Sequence, residues 1–239
     1  MASTSLEQRL SKITTNWDDL IEAHQSHAYE PEAARKRGAI LRRYAACVYQ
    51  YIFGATRCHH ASEDLSQEFA LRFIRGDFRN ANPDCGRFRD YLKRSLRNLV
   101  TDHFRRQSSN AVSGNMEQAE SKTIATLEKE FSSQWRKQLL GSSWESLREH
   151  QESAGNQYYS VLQLRSELPN ANSDQLARQF SIHHDRDVSA DWFRQNLRRA
   201  RLKFSQFLVK EVGRTIQSDS EDDVKDELAE LGLQKYVGD

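Results

Sequence analysis

Two consecutive amphipathic segments within residues 61–106 constrain the fold of this chain most strongly. In the first segment, Leu65, Phe69 and Phe73 recur at every fourth residue, which predicts a helix with one buried face. The second segment has a helical spacing of three or four residues at Phe88, Leu92, Leu96, Leu99 and His103. Residues 80–86, which include Pro83, interrupt the pattern and predict a turn. The sequence therefore predicts two helices that bury their apolar faces against other parts of a helical domain.

The first helix is acidic on the side away from its apolar residues. Ser62 is a candidate N-cap, and Glu63 and Asp64 follow it where the positive end of the helix dipole favours carboxylates. Glu68 lies one turn after Asp64, and two like charges one turn apart favour a basic protein partner. The alternative is that Glu68 pairs with Arg72 on its own helix, which leaves Asp64 unexplained.

The second helix is basic. Residues 86–106 contain seven Arg or Lys and two Asp, and Phe88, Tyr91 and Phe104 are interleaved with them. A charged helix face is often only a solvated surface. Here the two signs are segregated by helix, and cations beside aromatic rings are what a single-stranded nucleic-acid site requires. We therefore expect nucleic acid to bind the second helix.

The two segments together resemble region two of sigma-70-type RNA polymerase sigma factors, and the extracytoplasmic-function group is the most similar. The motifs are EDLSQEFALRFI at residues 63–74 and GRFRDYLKRSLRNLVTDHFRR at residues 86–106. The resemblance implies a non-catalytic subunit that binds core RNA polymerase and directs promoter recognition and melting. It implies that the β′ clamp helices of the polymerase contact Asp64, Leu65, Gln67 and Glu68. It implies that the minus-ten element is recognised and melted by Phe88, Tyr91, Arg94, Arg97, Asn98, Asp102 and Arg105, although Phe88 is also expected to be structural.

Residues 172–210 have the layout of a helix-turn-helix. Asn172, Ser173 and Asp174 predict the cap of a short helix, residues 181–188 a turn, and Ser189 the start of a longer helix. The longer helix has its apolar stripe at Phe193, Leu197, Ala200, Phe204 and Leu208. Residues 194–203 contain five basic residues and no acid, as expected of a helix that enters the major groove.

The segments LARQFSI and VSADWFRQNLRRARLKF resemble sigma region four. The resemblance implies contacts to the minus-thirty-five element from Arg194, Gln195, Arg198 and Arg199, and the β flap of the polymerase as a partner. HHDRD at residues 183–187 lengthens the turn, which leaves the choice of base-contacting residues open. An enlarged turn and an ELAELGL tail, here residues 227–233, are features of a planctomycete-type branch of these factors. An anti-sigma factor is a further candidate partner.

The predicted architecture is all-α, with two small helical domains joined by a polar linker. We expect a disordered N-terminus at residues 1–16, a region-two-like domain at 17–106, a linker at 107–122, a region-four-like domain at 123–212 and an acidic tail at 213–239. The apolar positions at residues 124–139, with Trp135 and then Trp144, are assigned to the second domain, with a break near Gly141. The tail is expected to be a solvated helix packed loosely on that domain; the alternative is that it shields the basic recognition helix.

Several classes of protein are disfavoured by the sequence. No apolar run is long enough to span a bilayer and the N-terminus has no signal-peptide core, so we expect a cytoplasmic protein. Cys47, Cys58 and Cys85 form no C-x-x-C pair, and neither a metal site nor a cofactor is expected. The sequence contains neither a Gly-rich phosphate loop nor a nucleophile elbow, so no motif indicates an enzyme. Two alternatives stay open: a helix-turn-helix regulator that acts without core polymerase, and a helical protein-interaction adaptor.

Overall fold

The computed structural model describes residues 31–75, 87–108, 117–216 and 220–237. All regular structure in these ranges is helical, which confirms the all-α prediction. The helices are α1 (Pro31–Thr56), α2 (His59–Arg75), α3 (Phe88–Ser108), α4 (Glu117–Ala154), α5 (Tyr158–Glu167), α6 (Ser173–His184), α7 (Ala190–Gly213) and α8 (Glu221–Glu230), followed by a 3₁₀ turn at Gln234–Tyr236. The predictions for residues 1–30, for the turn at 80–86 with Cys85, and for linker residues 109–116 lie outside the described ranges.

The chain divides into two compact units. The first combines the described parts of Met1–Gln138 and Gly213–Asp223, and the second combines Leu139–Val212 and Val224–Asp239. Helix α4 is continuous from Glu117 to Ala154 and contributes to both units, so the predicted break near Gly141 is absent. A single exposed glycine costs a helix only about 1 kcal/mol, which the long helix tolerates.

The core of the first unit is aromatic. Trp135 of α4 stacks on Tyr44 of α1 with ring centroids 4.5 Å apart, and Phe131 meets Tyr51 edge-on at 6.1 Å. Trp135 is 1% exposed. Leu127, Phe131 and Trp135 therefore lie in the first unit, and their assignment to the second domain was wrong, whereas Leu139 lies in the second unit as predicted. Helical periodicity identifies a buried face but carries no information about the surface that covers it.

Helices α1 and α2 are joined by only two residues. Arg57 has φ 52°, a left-handed conformation that reverses the chain and lets α2 begin at His59. Ser62 is consequently buried inside α2, where its Oγ donates a hydrogen bond to the Cys58 carbonyl oxygen at 2.6 Å. The predicted N-cap at Ser62 was wrong, and Glu63 and Asp64 lie beyond the first turn.

The second unit is built around a cluster from α5, α6 and α7. Its buried members are Val161, Leu164, Leu176, Ala177, Phe180 and Phe193. Asn172 caps α6 as predicted: its side-chain oxygen accepts from Gln175 N at 2.9 Å, and the Gln175 side chain accepts from Asn172 N at 2.9 Å. This reciprocal pair fixes the start of the helix-turn-helix segment.

The acidic tail folds more tightly than predicted. Leu228, Leu231 and Leu233 are each almost completely buried. Gly232 has φ 64°, and hydrogen bonds from Leu233 N to Leu228 O (2.8 Å) and from Gly232 N to Ala229 O (2.9 Å) close the end of α8. The tail is therefore a packed helix with a defined C-terminus, and loose packing was the wrong expectation. None of the helices within the described ranges combines the length and the hydrophobicity that a bilayer span requires.

Two glycines in long helices have opposite environments and give a matched test of the α1–α4 contact. A Cβ at Gly54 of α1 would lie 2.4 Å from Leu127 Cδ2 of α4, whereas a Cβ at Gly141 would meet nothing within 4 Å. We expect Gly141→Ala to raise the free energy of unfolding by about 0.5–1 kcal/mol. We expect Gly54→Ala to lower it by about 1 kcal/mol, because overpacking the buried Leu127 outweighs the gain in helix propensity. Denaturant unfolding measures both, and equal stabilisation by both substitutions would contradict the close approach of the helices.

Candidate nucleic-acid interface

The acidic face of α2 is partly accessible to a partner. The Asp64 side chain is 65% exposed and lies 2.9 Å from His60 Nδ1, and Gln67 is exposed. Leu71 lies on the same side and is also exposed. Leu65 is only 3% exposed and belongs to the core, so its predicted role as a direct partner contact is not supported by its position. Its apolar spacing with Phe69 and Phe73 is the signal that it is a core residue.

Glu68 is already paired within the first unit. Its carboxylate pairs with Arg72 on α2 and lies 3.6 Å from Arg106 Nη2 of α3. The structure therefore has the alternative arrangement, in which Glu68 pairs with Arg72 on its own helix. A basic group on a partner would have to exchange with these arginines, and exposed pairs of this kind contribute only about 0–1 kcal/mol each.

The basic face of α3 presents a row of polar side chains to solvent. Arg94, Asn98 and Arg105 are exposed and Thr101 is half-buried between them. At about 100° per residue these four positions lie within roughly 60° of one another around the helix axis. Asp102 is exposed at one edge of the row. The row offers cations for phosphates and one amide, Asn98, that can both donate to and accept from a base edge.

The aromatic residues of α3 differ in what they can reach. Phe88 is 2% exposed and packs 5.3 Å from the Tyr44 ring and 6.2 Å from the Trp135 ring, so it is a core residue and cannot stack on a base. Tyr91 is half-buried and lies 6.3 Å from Phe88. Burial raises the pKa of Tyr91 far above its usual value, and a hydrogen bond with Ser95 opposes this only in part. Tyr91 therefore remains a neutral ring at the edge of the basic row.

Arg97 occupies the other flank of that row and is held by two other helices. Its guanidinium pairs with Glu128 of α4. It also lies beside the buried Tyr51 hydroxyl of α1: burial raises the pKa of Tyr51, and the charge and hydrogen bond of Arg97 oppose that rise. Neither Tyr51 nor Glu128 was among the predicted site residues. A residue 31 positions away in sequence gives no local signal that it contacts Arg97.

The turn of the helix-turn-helix segment is shorter than predicted. Helix α6 continues to His184, and Asp185 caps it in the left-handed conformation with φ 46°. His183 and His184 therefore extend the helix, and the predicted turn beginning at 181 was wrong. Val188 N donates to Ser181 Oγ at 3.1 Å, which ties the remaining turn back to α6.

Helix α7 presents its predicted polar residues to solvent. Ser189 Oγ accepts from Trp192 N at 3.1 Å at the helix start, as expected of an N-cap. Arg194, Gln195, Arg198 and Arg199 are all exposed, and Arg194 pairs with Asp191 one turn earlier. Arg201 is also exposed and continues the row of Arg194 and Arg198 at helical spacing. This spacing was visible in the sequence and makes Arg201 a further candidate contact.

Comparison with known proteins identifies one family for part of the chain. Residues 40–110 match the family model described as sigma-70 region 2. The matched stretch contains both faces described above, on α2 and α3, but covers less than a third of the chain. It supports a member of the sigma-70 family with a DNA-binding role in transcription initiation. No curated protein and no solved structure gave a significant match.

Phe88 is buried in the core, unlike the surface residues of α3, and the free energy of unfolding of substituted proteins tests this difference. Phe88→Ala removes a buried ring and is expected to lower the free energy of unfolding by about 3–5 kcal/mol. Arg94→Ala, at an exposed position two turns later, is expected to change it by less than about 0.5 kcal/mol. Thermal unfolding followed by circular dichroism tests both variants. Equal stability of the two variants would show that Phe88 is not part of the core.

Proposed function

We propose that this protein is a sigma factor that binds core RNA polymerase and directs promoter recognition and melting. The observation that carries the proposal is the coincidence of the sigma-70 region 2 match with the surface of α3. There, Arg94, Asn98 and Arg105 are exposed in one row beside the half-buried Tyr91. Cations and a ring in this order suit a single strand whose bases have been separated.

Core polymerase is proposed to bind the α2 face. Asp64 and Gln67 would contact basic and polar groups of the β′ clamp helices, and Glu68 would join them by exchanging its present arginine partners. Exposed Leu71 adds an apolar contact on the same side. Leu65 supports this face from the core, where its side chain is almost completely buried.

The α3 face is proposed to capture the melted minus-ten element. Flipping a base out of the duplex costs a few kcal/mol of stacking, which contacts in the protein must offset. Tyr91 can supply a stacking surface, Asn98 a hydrogen-bonding edge, and Arg94 and Arg105 the phosphate contacts. Arg97 and Asp102 lie on the two flanks of this row.

The second unit is proposed to bind the minus-thirty-five element as a duplex. Helix α7 carries Arg194, Gln195, Arg198 and Arg199 on exposed positions, with Arg201 in the same row. Arg can read guanine and Gln adenine in the major groove, and any of the arginines can contact phosphate instead. The β flap of the polymerase is the proposed protein partner of this unit.

The subgroup of sigma factors is proposed from the sequence motifs. The short region-two and region-four motifs favour the extracytoplasmic-function group, and the residues around 183–187 and 227–233 favour its planctomycete-type branch. An anti-sigma factor is a proposed regulatory partner, and the proposed activity would take place in the bacterial cytoplasm, where RNA polymerase works. No catalytic role is proposed, because a sigma factor supplies binding and the core enzyme supplies the chemistry.

The polymerase-binding face can be tested by co-elution with bacterial core RNA polymerase. We expect wild type to co-elute and the double variant Asp64→Ala, Glu68→Ala to lose about tenfold or more in affinity, because charge pairs with the clamp disappear. The matched control is Glu152→Ala, Asp226→Ala, which removes the same charge from exposed positions of the second unit. Wild-type affinity in both double variants would place the polymerase contact elsewhere.

The DNA-binding face can be tested with a fluorescent single-stranded oligonucleotide pool added to the complex with core polymerase. We expect Arg94→Ala, Asn98→Ala to bind the pool about thirty- to nine-hundredfold more weakly, at roughly 1–2 kcal/mol for each of the two lost contacts. Co-elution with core should be unchanged, because α2 is untouched. Lys137→Ala, at an exposed position on α4, is the control for loss of charge. If Lys137→Ala weakens binding as much as the double variant does, α3 is not the site that binds single strands.

A regulator that acts without polymerase is the second candidate function. It is favoured by the capped α6, the short turn and the exposed arginines of α7, which suit duplex DNA without any partner. If the protein binds duplex DNA specifically but neither wild type nor any variant co-elutes with core polymerase, this second function replaces the first.

A further inference from the structure

Three helices of the first unit meet at Arg97. The residue is on α3, Tyr51 is on α1 and Glu128 is on α4. The Tyr51 side chain is buried, whereas the Arg97 and Glu128 side chains remain 47% and 33% exposed. The guanidinium is therefore both paired and accessible from solvent.

The position of Glu128 is fixed by the packing of its helix. Leu127, the preceding residue, approaches the backbone of Gly54 so closely that no Cβ fits between them. Two turns further along α4, Trp135 stacks on Tyr44. Because α4 is anchored on both sides of Glu128, the Glu128 carboxylate lies beside Arg97 when the first unit is folded.

Arg97 also lies on the flank of the row formed by Arg94, Asn98 and Arg105. Viewed along α3, it is about 60° from Arg94, so its long side chain can turn toward that row or toward α4. A carboxylate and a phosphate compete for the same guanidinium fork, because both accept two parallel hydrogen bonds. The side chain can serve one acceptor at a time.

We propose that Glu128 is an internal competitor of DNA for Arg97. The α4 carboxylate holds the guanidinium and lowers the affinity of the α3 face for single strands, because it keeps Arg97 away from a DNA phosphate. The inference rests on the proposed function, since it gives α3 a nucleic-acid ligand. It makes Glu128 a residue that sets affinity without touching DNA.

The test compares Glu128→Gln with Glu130→Gln in the full chain, using a fluorescent single-stranded oligonucleotide over a series of salt concentrations. Both variants lose one negative charge from α4, but only Glu128 pairs with Arg97. We expect Glu128→Gln to bind about three- to fivefold more tightly, as the loss of an exposed ion pair allows. Its plot of log affinity against log salt should steepen by about 0.7, the increment for one more phosphate contact on a single strand. Glu130→Gln should change affinity less than about 1.5-fold and leave the slope unaltered.

A double variant separates competition from a general charge effect. Adding Arg97→Ala to Glu128→Gln should abolish both the gain in affinity and the steeper slope. The inference is overturned if Glu128→Gln and Glu130→Gln bind alike, or if the gain survives in the double variant. If single-stranded DNA binds neither wild type nor any variant, with or without core polymerase, both the inference and the proposed DNA-binding role of α3 fail. If wild type binds and the variants do not differ, the inference alone fails.

Discussion

The stacking of Trp135 on Tyr44 is the contact on which the rest of the first unit depends. Phe88 lies against both rings, so α1, α3 and α4 share one aromatic core. Burial of a tryptophan side chain contributes about 3–5 kcal/mol, more than any of the exposed ion pairs around it. The core fixes which side of α3 faces solvent, and therefore which residues form the polar row. It also brings Glu128 beside Arg97.

The helices themselves follow from local rules that the sequence displays. The apolar spacing of Leu65, Phe69 and Phe73 placed α2, and the cap residues at 172–174 placed the start of α6. The helix period and the chemistry of a cap involve residues within four positions of one another, so a single sequence is enough to find them. The start of α2 was missed because the αL conformation of Arg57 has no glycine to signal it.

The exposure of the candidate site residues was predicted in part, and the errors have a common physical origin. Exposed Arg94, Asn98, Gln67 and Arg198 were placed correctly because their helix faces are opposite the apolar stripes. Leu65 and Phe88 were carried into the site by similarity to family motifs, which contain the core positions that hold a face as well as the residues that form it. The partner surface of α4 could not be predicted, since its amphipathic pattern fits any apolar groove of suitable shape.

The separation of the stacked rings along the chain has a consequence for the order of folding. Helices α1 and α2 are joined by two residues, so closing that hairpin costs little chain entropy and can occur early in synthesis. Tyr44 and Phe88, however, can pack against Trp135 only after that residue has been synthesised, about ninety residues after Tyr44. During translation the face later covered by α4 is thus apolar and open, while α3 with its arginines has already been made. The nascent chain therefore passes through a stage in which the basic face of α3 has been synthesised but Glu128, which pairs with Arg97, has not.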